Sequence, residues 1–193
     1  MRVGVLALQG DVSEHLEMMG RVGARSLPVK TPEGLEGLDG LIIPGGESTT
    51  VGKLLVRYGL DEAICRRVRE GMALYGTCTG LILLAQRIHG SAQPRLGLMD
   101  MDVERNAFGR QVDSFEIDIP IPAIGGAPFR AVFIRAPFIR EVGPGVEVLA
   151  RLPGPGGQIV MARQGKLLAS AFHPELTDDP RVHAYFLRMI LGQ

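Results

Sequence analysis

The chain has 193 residues, near the length of one domain, and balances 21 basic against 21 acidic side chains. Zero formal charge argues against electrostatic nucleic-acid binding, and 46% hydrophobic content excludes a disordered chain. Two cysteines, Cys65 and Cys78, are too few for a disulfide framework and fit a reducing compartment. No apolar run approaches the roughly 18 residues of a membrane span. The first, Val3 to Leu8, contains Gly4 and is soon followed by Asp11, unlike a signal peptide. The expectation is a cytoplasmic protein with no membrane or nucleic-acid partner, folded as one domain over residues 1–193. Arginine outnumbers lysine 18 to 3, and Asn106 is the only asparagine. Scarce asparagine is a device of thermophilic proteins, but a GC-rich genome gives the same arginine bias, so the source temperature stays open.

Along the chain, short apolar runs alternate with helix-period segments, the pattern of βαβ units. Val3 to Leu8 reads as a buried parallel strand, and Val12, Leu16, Met19 and Val22 then mark one face of a helix. Asp39 to Pro44 is a second strand, stopped by Gly45-Gly46, and Ser48 or Thr49 can cap the helix that follows. Leu60 to Glu70 is another helix, with Arg66, Arg67 and Arg69 mostly outward. Met72 to Tyr75 is a strand that turns through Gly76-Thr77-Cys78-Thr79-Gly80 into a helix over Leu81 to Gln86. From about Gly97 the pattern becomes β-like. Phe115, Ile117 and Ile119 alternate with Glu116 and Asp118, and further runs follow at Phe129 to Arg135, Val146 to Arg151, Ile159 to Arg163 and Leu167 to Phe172. Arg181 to Leu191 closes as a helix. The expected architecture is a three-layer α/β fold: a mostly parallel central sheet flanked by helices, with antiparallel additions in the second half.

The chemistry centres on Cys78. A residue between small neighbours at a strand-to-helix turn is held tightly with its side chain presented, and a helix N-terminus stabilises negative charge there. The plain alternative is a small buried hydrophobe, which is the reading for Cys65. A thiol nucleophile wants a base, and the base wants an acceptor to orient it. His173 ends an apolar strand, and Glu175, two residues on in extended structure, can face it. His15 reads as solvated beside Glu14 and Glu17, His89 as a helix end, and His183 as a surface residue of the last helix. Cys78 and His173 at two strand ends can share the C-terminal edge of one parallel sheet, where α/β proteins place their sites. Gly45-Gly46 follows another strand, so the Gly46 and Thr79 N–H groups form a natural oxyanion pair. No metal-ligand spacing, P-loop or dinucleotide glycine pattern is present in the sequence, so no metal or cofactor is inferred.

Gly76-Thr77-Cys78-Thr79-Gly80, the distant His173-Pro174-Glu175 and Gly45-Gly46 together resemble the class I (triad) glutamine amidotransferases. Ala7 to Val12 with Glu14-His15, and Pro44 to Thr50, narrow the resemblance to the glutaminase subunits of two-component pyridoxal 5'-phosphate synthases. Arg105 to Gln111 and Phe133 to Pro137 match the same family, so the similarity runs from residue 3 to about 190. Two departures stand out: Thr79 where the family commonly has Ala, and Leu74-Tyr75 where a Pro-aliphatic pair is more usual. The second is expected to be a packing change.

The resemblance implies hydrolysis of L-glutamine to glutamate and ammonia through a Cys78-His173-Glu175 triad and a γ-glutamyl thioester. It implies substrate contacts from Gly46, Glu47, Ser48, Arg105, Ile134 and Arg135, either arginine being a sensible carboxylate clamp. It also implies a partner, a synthase subunit of (β/α)-barrel fold that receives the ammonia in a hetero-oligomer for vitamin B6 biosynthesis. Such glutaminases are largely inactive until docked, and Gln9, Gly10 and the Gly45-Gly46 peptide are the expected activation switch, since glycine permits a peptide flip. Two other readings remain: a related glutaminase or γ-glutamyl hydrolase of another pathway, and a non-catalytic α/β module that binds or senses redox state through Cys78.

Overall fold

The computed structural model describes residues 1–105 and 114–193. Strand β1 (Arg2–Leu6) is buried from Val3 onward, as a strand covered on both faces must be. Helix α1 (Val12–Arg21) returns the chain to β2 (Arg25–Val29), which pairs parallel to β1. The hydrophobic pattern does not reveal β2, because Pro28 interrupts it and two of its residues are exposed. A sheet tolerates that only at an edge, which is where β2 lies.

Next come β3 (Gly40–Ile43), α2 (Ser48–Arg57), α3 (Leu60–Arg69), β4 (Ala73–Thr77) and α4 (Thr79–Leu84). The last of these corrects the expected helix over residues 81–86. The helix starts immediately after Cys78 and ends at Leu84, and the chain then enters β5 (Ala85–Ile88). His89 therefore follows a strand, not a helix. Strand β6 (Met99–Glu104) alternates buried and half-buried residues and also escapes the sequence reading. The remainder is β7 (Ser114–Ile119), β8 (Phe129–Ile134), β9 (Phe138–Val142), β10 (Glu147–Arg151), β11 (Ile159–Gln164), β12 (Leu167–Ser170) and α5 (Arg181–Ile190). Part of the family-like run, from Asn106 to Gln111, lies outside the described residues.

One large sheet has the order β2-β1-β3-β4-β12-β11-β9-β6-β5, with β10 paired to β11; β7 and β8 form a small antiparallel sheet of their own. From β2 to β12 all pairings are parallel, and from β12 to β6 they are antiparallel. Neighbouring residues of β4 show how the layers stack. Tyr75 is fully buried with its ring 5.6 Å from Phe186 of α5. Gly76 faces the other way, where the backbone of Gly80 in α4 leaves no room for a side chain. Helices α5 and α4 therefore cover opposite faces, with α1 packed beside α5 and α2 beside α4 and α3. This is the expected three-layer α/β fold.

The parallel half sends the chain out at one edge after β1, β3, β4 and β12. Register decides what meets there: β12 pairs with β4 so that Ser170 lies opposite Thr77, and the Cys78 amide donates to the Ser170 carbonyl at 2.8 Å. The elbow itself demands small residues. A Cβ on Gly80 would lie 2.3 Å from the Ile43 carbonyl oxygen of β3. Backbone cannot yield as a flexible side chain can, so Gly80→Ala is expected to destabilise the fold by about 1–3 kcal/mol, measured by denaturant unfolding. An unchanged midpoint would show that α4 shifts freely against β3.

Candidate active site

Cys78 stands between β4 and α4 with φ +48° and ψ −98°. Among the described residues it shares a positive φ outside glycine only with Arg135, at φ +41°. Such backbone costs of order 1–3 kcal/mol and persists where packing imposes it. Both strained residues line one cavity of about 570 Å³. The elbow presents Cys78 into it while the rest of its surface is buried, leaving 8% exposed.

His173 follows β12 and lines the same cavity at 4% exposure. Its amide donates to the Val132 carbonyl of β8 at 2.8 Å, which ties the small sheet to this edge. A short 3-10 turn over Pro174–Leu176 then carries Glu175 beneath the imidazole, and His173 Nδ1 meets Glu175 Oε1 at 2.8 Å. The expectation that Glu175 faces His173 holds, but through this turn rather than through extended chain. Glu175 is 5% exposed and does not line the cavity.

The electrostatics follow from this packing. Burial alone would lower the His173 pKa, but hydrogen bonds to Cys78 and Glu175 and the Glu175 charge outweigh it and raise the value to about 10. Glu175 shows the converse balance: burial would raise its pKa, and the interactions with His15 and His173 hold it well below the usual carboxylate range. Asp11 Oδ2 lies 3.6 Å from His173 Nδ1, and burial together with Glu175 raises its pKa. Asp11, His173 and Glu175 bring ligand-type atoms within 4.8 Å of one another. The hydrogen bond between His173 Nδ1 and Glu175 Oε1 already occupies two of the atoms a metal ion would need.

The segment after β3 supplies the opposite wall. Glu47, not Ser48 or Thr49, caps α2: its carboxylate accepts from the Thr49 amide at 3.0 Å, the Thr50 amide at 2.7 Å and the Thr50 hydroxyl at 2.8 Å. These donors outweigh the cost of partial burial and draw its pKa down to about 2. The sequence points to Ser48 or Thr49 because N-caps favour short polar side chains, and a glutamate in that role carries no local signal. The Glu47 amide donates to Gln9 Oε1 at 2.7 Å, and the Thr79 hydroxyl donates to the Gly46 carbonyl. Thus the departure at Thr79 fastens the turn after β4 to the turn after β3. The other departure, Tyr75, packs in the core and shares a 2.8 Å hydrogen bond with the Ser170 hydroxyl.

All of the expected site residues except Glu175 and Gly45 line the cavity; Gly45 sits directly beside it, where a Cβ would meet the His173 ring at 2.5 Å. Arg105 Nη1 donates to the Thr49 hydroxyl at 3.0 Å and to Gln93 Oε1, and Ser48 Oγ donates to the same Gln93 oxygen. Gln93, 8% exposed, is thus a hub that holds Arg105, and no local motif announces it. Ile134 turns its carbonyl toward Cys78 Sγ at 4.0 Å. The sequence also misplaced two histidines. His15 and His183 are fully buried, not solvated, and His15 Nε2 lies 3.4 Å from Glu175 Oε1.

Because the folded His173 pKa lies above the ordinary imidazole value of 6.5, its proton stabilises the fold fully below that pH, and this is lost as pH rises toward about 10. An NMR titration of the His173 ring is expected to show no midpoint in the ordinary imidazole range, and Glu175→Gln should bring the midpoint down. A midpoint near 6.5 in the wild-type chain would contradict the geometry.

Comparison with known proteins places the chain in a family. Residues 5–192 match the SNO glutamine amidotransferase family. A protein of Pelotomaculum thermopropionicum named pyridoxal 5'-phosphate synthase subunit PdxT is 61% identical over 187 residues, covering 97% of this chain and 94% of the relative. A protein of the same name from Thermus thermophilus is 60% identical over 189 residues, covering 97% and 96%. A crystal structure of a glutamine amidotransferase superposes with TM-score 0.91 at 57% identity, covering 97% of this chain and 98% of that one. The chain therefore belongs to the SNO glutamine amidotransferase family.

Proposed function

We propose that this chain, acting as one glutaminase domain over residues 1–193, hydrolyses L-glutamine and passes the ammonia to a pyridoxal 5'-phosphate synthase subunit. The observation that carries the reading is the buried Cys78-His173-Glu175 arrangement opening into a cavity of about 570 Å³. The relatives named PdxT supply the pathway, vitamin B6 biosynthesis.

In this reading the Cys78 sulfur attacks the side-chain carboxamide carbon while His173 carries the proton and Glu175 holds the imidazole. The Gly46 and Thr79 amides receive the oxyanion; losing one such donor typically costs about 3 kcal/mol of barrier. Collapse of the tetrahedral intermediate expels ammonia with the proton from His173 and leaves a γ-glutamyl thioester. Water, activated by His173, releases glutamate and restores the thiol. Arg105 and Arg135 are the arginines that line the cavity among the described residues and suit the substrate carboxylate, with Glu47, Ser48, Gly46 and Ile134 completing the pocket.

Ammonia released into water protonates and ceases to be a nucleophile, so the product calls for a receiving subunit. That subunit is a (β/α)-barrel synthase in a hetero-oligomer, and the setting is the cytoplasm. Among the described residues no helix is long and apolar enough to cross a membrane. Gln9, Gly10 and Gly45 form the activation switch. In support, Gln9 already holds the Glu47 amide, Gly10 (φ +95°) rests against the Gly45 carbonyl, and Gly46 has φ +141°.

Glutamate release should appear when the chain is mixed with a synthase subunit and vanish in Cys78→Ala. Equal turnover without the partner would point to a free-standing hydrolase, and none in either case would return Cys78 to the ordinary buried thiols. Gly46→Ala is expected to abolish partner-dependent turnover, and full retention would sink the switch. Gln93→Ala frees the Arg105 guanidinium and should raise KM by about tenfold with kcat little changed, the signature of lost uniform binding.

A further inference from the structure

Behind Glu175 lies a pair of histidines that the proposed chemistry does not use. His15 of α1 and His183 of α5 are both fully buried, with His15 Nδ1 and His183 Nε2 3.0 Å apart. The other His15 nitrogen, Nε2, sits 3.2 Å from the Thr77 hydroxyl and 3.4 Å from Glu175 Oε1. The far nitrogen of His183, Nδ1, is buried and has no hydrogen-bond partner among the described residues, and the same holds for Glu175 Oε2.

The unpartnered His183 nitrogen fixes the direction of the chain. If the shared proton sat on His15 Nδ1, His183 Nε2 would be the acceptor and His183 would carry its own proton on Nδ1. That would strand an N–H in the core, and buried N–H groups without a partner are the rarest kind. A neutral His15 of that form would also turn a bare nitrogen toward an ionised carboxylate, with only the Thr77 hydroxyl left to donate to it. An imidazolium at His15 strands the same His183 N–H. With protons on both Nε2 atoms, only a bare ring nitrogen is left unpaired, and each N–H points toward Glu175. Burial, the largest influence on His183, drives its pKa down to about 3 and keeps it neutral, as this arrangement needs.

We propose that His15 is a positioning residue of the glutaminase site: His183 Nε2–H donates to His15 Nδ1, and His15 Nε2–H, shared between the Thr77 hydroxyl at 3.2 Å and Glu175 Oε1 at 3.4 Å, keeps that carboxylate ionised and aimed at His173. Glu175 needs such support. Its side chain is wholly shielded from water, and Oε1 alone faces both imidazoles. The inference rests on the glutaminase reading for its kinetic consequence, but not for the proton positions.

Long-range nitrogen–proton NMR of the imidazole rings in the chain alone reads the tautomers directly. Protons on Nε2 and none on Nδ1 of both His15 and His183 is the expected result, and a proton on either Nδ1 overturns the proposal. Steady-state glutamine hydrolysis in the complex supplies the second measurement. His15→Phe, which removes the donor, should lower kcat by about tenfold or more with KM nearly unchanged, whereas His15→Gln, which keeps an N–H near Nε2, should restore most of the rate. Equal losses in the two variants overturn the positioning role. Absence of turnover in the wild-type complex would instead defeat the glutaminase reading, while the tautomers would still decide the proton chain.

Discussion

The parallel pairing of β4 with β12 is the constraint on which the site depends. Placing Ser170 opposite Thr77 puts the ends of two strands, some ninety residues apart in sequence, at the same height on one sheet edge. The proposed nucleophile then emerges directly after one strand, and the proposed base three residues after the end of its neighbour. A slip of the register by one residue would turn every β12 side chain to the opposite face and separate the pair. The strained backbone at Cys78 is sustained by this rigidity, since the Cys78 amide is bound to Ser170 on one side and Gly80 is pressed against β3 on the other.

Burial of charge is the second organising cost. An ionised carboxylate at Glu175 inside the fold is unfavourable unless donors surround it, and the structure supplies imidazoles from two directions. His173 comes from the same turn, while His15 is delivered by α1, which packs on α5 through the contact with His183. The helix layer on this face thus contributes more than apolar cover. It brings polar groups to the carboxylate that the sheet edge cannot provide, so fold stability and site electrostatics are built from the same contacts. The cavity wall across from His173 follows a similar logic, with Glu47 committed to the helix cap and Gln93 holding Arg105 against the Thr49 hydroxyl.

Where sequence reasoning succeeded, the signal was local. Gly76-Thr77-Cys78-Thr79-Gly80 marks an elbow because only small residues fit its close backbone approaches, and short apolar runs mark strands buried on both faces. Strands β2, β5, β6 and β9 escaped because their environments are set by neighbours: β2 is an edge strand with a proline, and β5 continues straight from a helix. His15, flanked by glutamates, carries no local sign of burial. Its environment is decided by α5, some 170 residues away in sequence.

By itself the sequence determined the α/β class, the elbow at Cys78, the likeness to glutamine amidotransferases and the pairing of His173 with Glu175, because each depends on residues adjacent in the chain or on motifs taken together. Only the tertiary structure decided that Glu47 spends its carboxylate on a helix cap, that Gln93 holds Arg105, that Thr79 fastens Gly46, and that His15 and His183 stand behind Glu175. Those arrangements join residues from different elements, and hydrogen-bond partners across a fold are fixed by sheet register and helix packing, which no local spacing encodes.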